Sequence, residues 1–342
     1  MRILPRLRPR TRVVRAIVSG ALLLLVVSAV ALSLGDRATN PVDLWHALQG
    51  TGAENIVYAV QEVRLPRVAL AVLVGAAFGM AGGLSQGVLR NPLASPDVLG
   101  ISAGASVGAV AVIAAGALGG PIGVVPIPVA ALVGGLLAAV VIAALASDRA
   151  LRGRRILLVG IAVSTALMGV TQYLLTAIDV NDAQRSTAWL TGSLNARGWD
   201  EAMPVAIGLC AALPVVLVLA HGGRALLFGD DLATGWGVRT GRVRVVLLLT
   251  AVCLAALATS AAGPVAFVAL ASGQIARRIA GVPDIPPILA AIVGAATVLV
   301  ADTVARTALP YPVPVGVLTA VFGAPYLLHL LQQGRPRKGA PA

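Results

Sequence analysis

Gly100-Ile101-Ser102-Ala103-Gly104 spells the G-x-S-x-G pattern in which a serine hydroxyl attacks an acyl carbon. That chemistry requires a base within hydrogen-bond reach of the serine. The chain holds three histidines, His46, His221 and His329, and none lies at the centre of an apolar segment. A hydrolase elbow also needs a strand ahead of its serine, whereas the flanking sequence is helical in pattern. Ser102 is therefore read as one of several small residues that let helices pack closely, and no catalytic residue is assigned. No metal site is assigned either, since the histidines are scattered and no two acids share a helix face inside an apolar segment. A G-x-x-x-x-G-K-[ST] phosphate loop is absent from the sequence. No cofactor is expected on the chain itself, and any ATP dependence of that kind would come from a partner.

Three other places carry chemistry of a different sort. Asp302 and Arg306, at i and i+4, are placed to form an ion pair, and an ionisable residue inside an apolar segment is a functional candidate. Residues 86–104, QGVLRNPLASPDVLGISAG, interrupt two apolar runs with glycine, proline and small polar residues. Asn91-Pro92 should end one helix, because proline disfavours helical geometry in the residue before it. Ser95, Pro96 and Asp97 should start the next as N-cap, first helical residue and anion at the positive helix end. Finally, FGDDLATGWGVRTGR within 221–242 reads as a short helix opening on Asp230 and Asp231, then a glycine-rich turn and basic residues, suited to docking a soluble partner.

The elements that would position these residues are set by composition. Of 342 residues 58% are hydrophobic and 12% charged, with mean hydropathy +0.91, against about 25% charged in soluble domains. The class is an all-α polytopic membrane protein. Ten segments approach the ~20 apolar residues that a bilayer core requires: 16–34, 65–84, 97–115, 124–146, 155–176, 202–220, 243–261, 264–280, 287–305 and 313–331. Irregular backbone at membrane depth survives only buried in protein or lining a wet path, which marks 86–104 as a candidate pathway element. With both termini in the cytoplasm, 20 of the 26 basic residues fall inside and 6 outside, the asymmetry that sets membrane orientation.

The net charge of +12 follows from this topology, and no basic stripe interleaved with aromatics points to nucleic acid. Residues 1–15 form a basic cytoplasmic N-terminus, 16–331 one transmembrane domain with its long loop at 221–242, and 332–342 a cytoplasmic tail. The first segment imitates a secretory signal, yet its apolar run exceeds the usual 7 to 15 residues and is read as a retained helix. Cys210 and Cys253 sit in apolar runs and are expected as buried, inert side chains. An arginine pair precedes an apolar span and a glycine-containing turn in each half (Arg64 and Arg67; Arg242 and Arg244), as in transporters built from inverted repeats.

Four blocks carry a family resemblance: 64–108, beginning RLPRVALAVLVG and containing GGLSQGVLRNPLASPDVLGISAG; GDDLATGWGV at 229–238; AAGPVAFVALASGQIARRIAG at 261–281; and ADTVARTALPYPVPVGVLTAVFGAPYLLHLL at 301–331. The chain resembles the permeases of iron-siderophore and vitamin B12 ABC importers from about residue 15 onward. The resemblance implies a type II importer permease of about ten helices in the cytoplasmic membrane. It would dimerise, with itself or with a paralogue, above two cytoplasmic ATPase subunits and below an extracytoplasmic siderophore-binding protein. It further implies that Arg64, Arg67 and Arg306 meet the binding protein, and that Asn91 and Leu93 close the cytoplasmic mouth. By the same matching, Gly229, Asp230, Asp231, Ala233, Gly235 and Gly237 couple to the ATPase.

The sequence departs from the family at Ala271-Ser272-Gly273-Gln274, where Gly273 replaces a usual proline and is expected to keep a helix break without proline's fixed geometry. Residues 179–199, DVNDAQRSTAWLTGSLNARGW, resemble the ferric-enterobactin side of the family, favouring a catecholate siderophore over vitamin B12 or haem. The rival reading is an ion-coupled secondary transporter, which would want buried carboxylates at mid-membrane where the sequence offers Asp302 near an outer end.

Overall fold

In hydrocarbon each backbone N–H and C=O must be satisfied without water, so long apolar segments become helices. A computed structural model describes residues 9–35, 38–146, 152–309, 311 and 313–333; the expected N-terminal and C-terminal segments lie largely outside the described residues. In chain order the helices are α1 (Pro9–Ser33), α2 (Pro41–Leu48), α3 (Glu54–Tyr58), α4 (Leu65–Leu89), α5 (Ile101–Ala117), α6 (Ile127–Leu145), α7 (Arg152–Thr176) and α8 (Val180–Leu190). They continue as α9 (Trp199–Val218), α10 (Ala220–Ala225), α11 (Asp230–Gly235), α12 (Thr240–Ala262), α13 (Val268–Ala280), α14 (Pro287–Thr307) and α15 (Val315–Gln333). A wider π-helical stretch, Ala59–Arg64, joins α3 to α4, and no strand occurs among the described residues.

Each of the ten expected spans coincides with a helix: α1, α4 to α7, α9 and α12 to α15. Among the described residues, 7 helices are long and apolar enough to cross a bilayer by themselves. α5, with 17 residues, and α13, with 13, are shorter. The expected third span, 97–115, starts late because Pro96–Leu99 forms a 3₁₀ turn closed by Gly100 at φ 70°. The expected eighth, 264–280, loses its first residues because Gly263 at φ 75° and Phe267 at φ 64° hold 263–267 out of the helix. Ser95 makes no side-chain cap at the turn it precedes; instead the Asn91 side chain accepts from the Leu93 N–H at 2.9 Å.

α4 is the buried axis of the bundle, packed on α14, α12, α13 and α9. Lipid offers helices no hydrophobic reason to associate, so close backbone approach through small residues has to supply the packing. A methyl on Gly75 would fall 2.7 Å from the Ala295 Cα, and one on Gly79 would drive into the Ala290 carbonyl. Gly104 and Gly134 seat α5 against α6 in the same way. α12, the counterpart of α4 in the proposed repeat, packs directly on it. Large apolar side chains such as Leu22, Leu25, Leu137 and Val218 point outward, as a lipid surround requires. Cys210 and Cys253 share that outer surface and are exposed, against the expectation of burial. Cys253 lies roughly 200° around α12 from Ala251, at 100° per residue, and Ala251 takes the inward place.

Candidate functional site

The charged groups that the sequence singles out gather at two opposite ends of α4. At its start, Arg67 grips Asp302 with two nitrogens, Nη2 to Oδ1 at 2.8 Å and Nε to Oδ2 at 3.0 Å. Such a fork holds both carboxylate oxygens in one plane. Arg306 lies 3.7 Å from the same carboxylate, so the i, i+4 pair exists but is the looser of two. Arg306 also donates to the carbonyls of Leu34, at 2.8 Å, and Ala31. Arg64 donates to the Leu32 carbonyl at 3.0 Å and to the Thr39 hydroxyl at 2.9 Å. Its guanidinium lies over Gly35, where a methyl would come within 2.6 Å of Cζ. The three arginines thus share one end, as expected: Arg64 ties the end of α1 to the start of α4, Arg67 ties α4 to α14, and Arg306 ties α14 to the end of α1. Asp302 is only 2% exposed.

At the other end, α4 stops at Arg90, whose backbone is left-handed at φ 50°. Arg90 donates to Asp230 Oδ1 at 2.7 Å, and Arg244 donates to the same oxygen at 2.8 Å. The bond from Arg244, aided by the charges of Arg244 and Arg90, holds the Asp230 carboxylate below its ordinary range against some opposing burial. Asp230 opens α11, and Gly229 and Gly237 bracket that helix at φ 108° and 77°. Asp231 and Gly235 are exposed beside it, but Ala233 is fully buried and faces the protein. What this segment offers outward instead is Phe228 just before α11, Leu232 on it and Trp236 just after it, each more than half exposed. The Phe228 and Trp236 rings meet edge to face at 5.5 Å. Sequence reading had not assigned these three side chains, and no single helical spacing marks them, because Gly229 at φ 108° separates Phe228 from α11.

Asn91 and Leu93 form a tight turn next to Arg90, with Leu93 38% exposed. Ser102 donates to Asp97, across the junction of the 3₁₀ turn and α5, so its oxygen serves to fasten that turn. Gly273 does not break its helix: α13 runs unbroken from Val268 to Ala280. Its missing side chain makes room for Gln86, whose Oε1 would sit 2.5 Å from a methyl there. Gln86 donates to the Leu270 carbonyl at 2.8 Å and accepts from Gln274 at 2.7 Å, a polar clasp in which both glutamines are 2% exposed. Among the described residues no group of histidine, cysteine and acid side chains could hold a metal ion.

The model of the FecCD transport family matches residues 22–333. The chain is 36% identical to the Fe(3+)-citrate import system permease protein YfmE of Bacillus subtilis, over 95% of this chain and 97% of that one. It is 37% identical to the achromobactin transport system permease protein CbrC of Dickeya dadantii, over 92% and 90%. It is 36% identical to the ferric enterobactin transport system permease protein FepG of Escherichia coli, over 92% and 96%. A metal-chelate type ABC transporter solved in an inward-facing conformation shares the fold, with TM-score 0.79 at 21% identity over 94% of this chain and 99% of that one.

Proposed function

Because the chain belongs to the FecCD transport family and is a membrane permease of the ABC-importer kind, we propose that it carries ferric siderophores inward across the cytoplasmic membrane. It works as one of two permease subunits, identical or paralogous, driven by two separate ATPase subunits. The Arg67 end faces outward and the Arg90 end inward, the orientation that the arginine asymmetry supports. An extracytoplasmic binding protein delivers the cargo to the Arg64, Arg67 and Arg306 end.

The observation that carries this reading is the linkage at α11. Leu232 projects from the short helix and Phe228 and Trp236 from its two ends, and exposed aromatic anchors of this kind supply the core of protein interfaces. Behind them Asp230 holds Arg90, the residue next to Asn91. ATP binding draws the ATPase subunits together and displaces α11. Through Asp230 that displacement pulls on the inner end of α4 and reorients the turn at Asn91 and Leu93. The mouth then opens to one side, and hydrolysis resets it. The coupling residues are accordingly Gly229, Asp230, Asp231, Gly235 and Gly237 with the three apolar side chains, while buried Ala233 supports them from beneath.

A catecholate cargo is supported by residues 179–199 and by the likeness to the enterobactin permease. The likeness to the ferric-citrate and achromobactin permeases is as strong, which makes a panel the right test. Uptake of catecholate, hydroxamate and carboxylate ferric siderophores, vitamin B12 and haem is measured in a strain lacking this permease and complemented with it. Catecholate uptake is expected, and it should vanish when the cognate ATPase carries an inactive Walker lysine. Uptake that survives the ATPase change would point to an ion-coupled carrier instead.

A further inference from the structure

Between α1, α13, α14 and α15 lies a groove of about 770 Å³, within the roughly 300–1,000 Å³ of ligand pockets generally. Its walls are almost wholly apolar, with Leu23, Ile279, Leu289, Val293 and Phe322 among them. Val300 and Phe322 on its margin are 45% and 64% exposed, so it opens onto the outer surface of the chain. At one end its character changes. Tyr326 lines the groove, and its hydroxyl is buried with no hydrogen-bond partner. Arg277 and Arg278 lie near enough for their charges to act on it.

α1 adds to the same end. Arg12 and Arg15 stand one turn before Ala16 and Ser19, which line the groove, and residues four apart share a helix face. Arg12 reaches to 3.8 Å from the place of a methyl on Gly281, the residue that caps the end of α13 three positions after Arg278. The nearby acid in sequence, Asp284, pairs with Arg224 at 3.4 Å. An apolar trough that ends in basic residues and an unmet hydroxyl matches one class of ligand.

We infer that this groove binds an anionic phospholipid, its acyl chain lying along α14 and its phosphate held by Arg12, Arg15, Arg277 and Arg278 beside Tyr326. The site stands on the membrane-spanning fold alone, and neither cargo nor ATPase enters its test. The delipidated, detergent-purified permease is offered equal dioleoyl phosphatidylglycerol and dioleoyl phosphatidylcholine, and retained lipid is read by native mass spectrometry. Phosphatidylglycerol should be retained about tenfold over phosphatidylcholine, in line with the attraction of several arginines. Arg12→Gln with Arg15→Gln, and separately Arg277→Gln with Arg278→Gln, should each bring that ratio toward one. Ala296→Phe, which fills the trough, should lower retention of both lipids. In Phe322→Trp, phosphatidylglycerol with brominated chains should quench the added indole. Equal retention of the two lipids by the unaltered chain would overturn the site. So would a preference that both arginine pairs leave intact, or an Ala296→Phe variant that loses its dimer and keeps its lipid.

Discussion

The two ends of α4 carry the same three charges in different surroundings. Each has one aspartate between two arginines: Arg67, Asp302 and Arg306 at one end, Arg90, Asp230 and Arg244 at the other. Asp302 is 2% exposed and Asp230 46%. A buried pair is costly to break, because the partner left behind keeps its charge away from water. An exposed pair contributes little to stability and its members exchange readily with water. The first set is a rivet joining α1, α4 and α14; the second is a hinge pin that can shift without unfolding the chain. A helix of 25 residues, roughly 37 Å long, links a buried charge cluster to an exposed one.

The largest test of that contrast is Asp302→Asn, which strands two arginines at the buried end. Thermal unfolding in detergent should show a loss of about 3–5 kcal/mol, and an unmoved midpoint would erase the distinction. The same result bears on docking, since altering Arg67 or Arg306 disturbs the rivet as well as the surface. Binding-protein affinity is therefore informative in an Arg64→Gln variant whose unfolding midpoint is unchanged; a drop is expected.

Next in size is Gly79→Val, midway between the ends, where the side chain drives into the Ala290 carbonyl. Overpacking of this kind costs about 1–3 kcal/mol, read in the same unfolding experiment. Asp230→Asn should cost at most about 1 kcal/mol yet slow ATP-driven uptake markedly. Full uptake in that variant would show that α11 does not act through Arg90.

The smallest effect is in pH. The arginines depress the Asp230 pKa in the folded chain, so its stabilisation is present above the ordinary carboxylate value of about 4. It is lost as pH falls through the depressed value. Unfolding curves of the unaltered chain and Asp230→Asn should differ at neutral pH and converge in acid.

Much of the fold was legible because hydrocarbon allows few solutions, so apolar length alone located all ten helices to within a few residues. The arginine groupings also sorted the helix ends correctly: Arg64, Arg67 and Arg306 meet at one end, and Arg90 and Arg244 at the other. What escaped was pairing across distance. Arg67 and Asp302 are separated by 235 positions, and helical spacing could only propose the local Arg306. Glycine was ambiguous for a related reason: in sequence Gly273 reads as a break, whereas in the bundle it is a gap that Gln86 fills. Exposed apolar residues on and beside α11 were hidden by the surrounding acids and glycines, which drew attention to themselves.

That long separation also bears on how the protein is made. Arg67 is made with α4, and its carboxylate partner arrives only with α14. A carboxylate at a helix centre costs the insertion machinery about 2.5–3.5 kcal/mol; near the helix end, with Arg67 and Arg306 at hand, Asp302 is spared much of that cost. α14 therefore docks onto a waiting cation, and α1 becomes fastened to α14 through Arg306 only once α14 has been made.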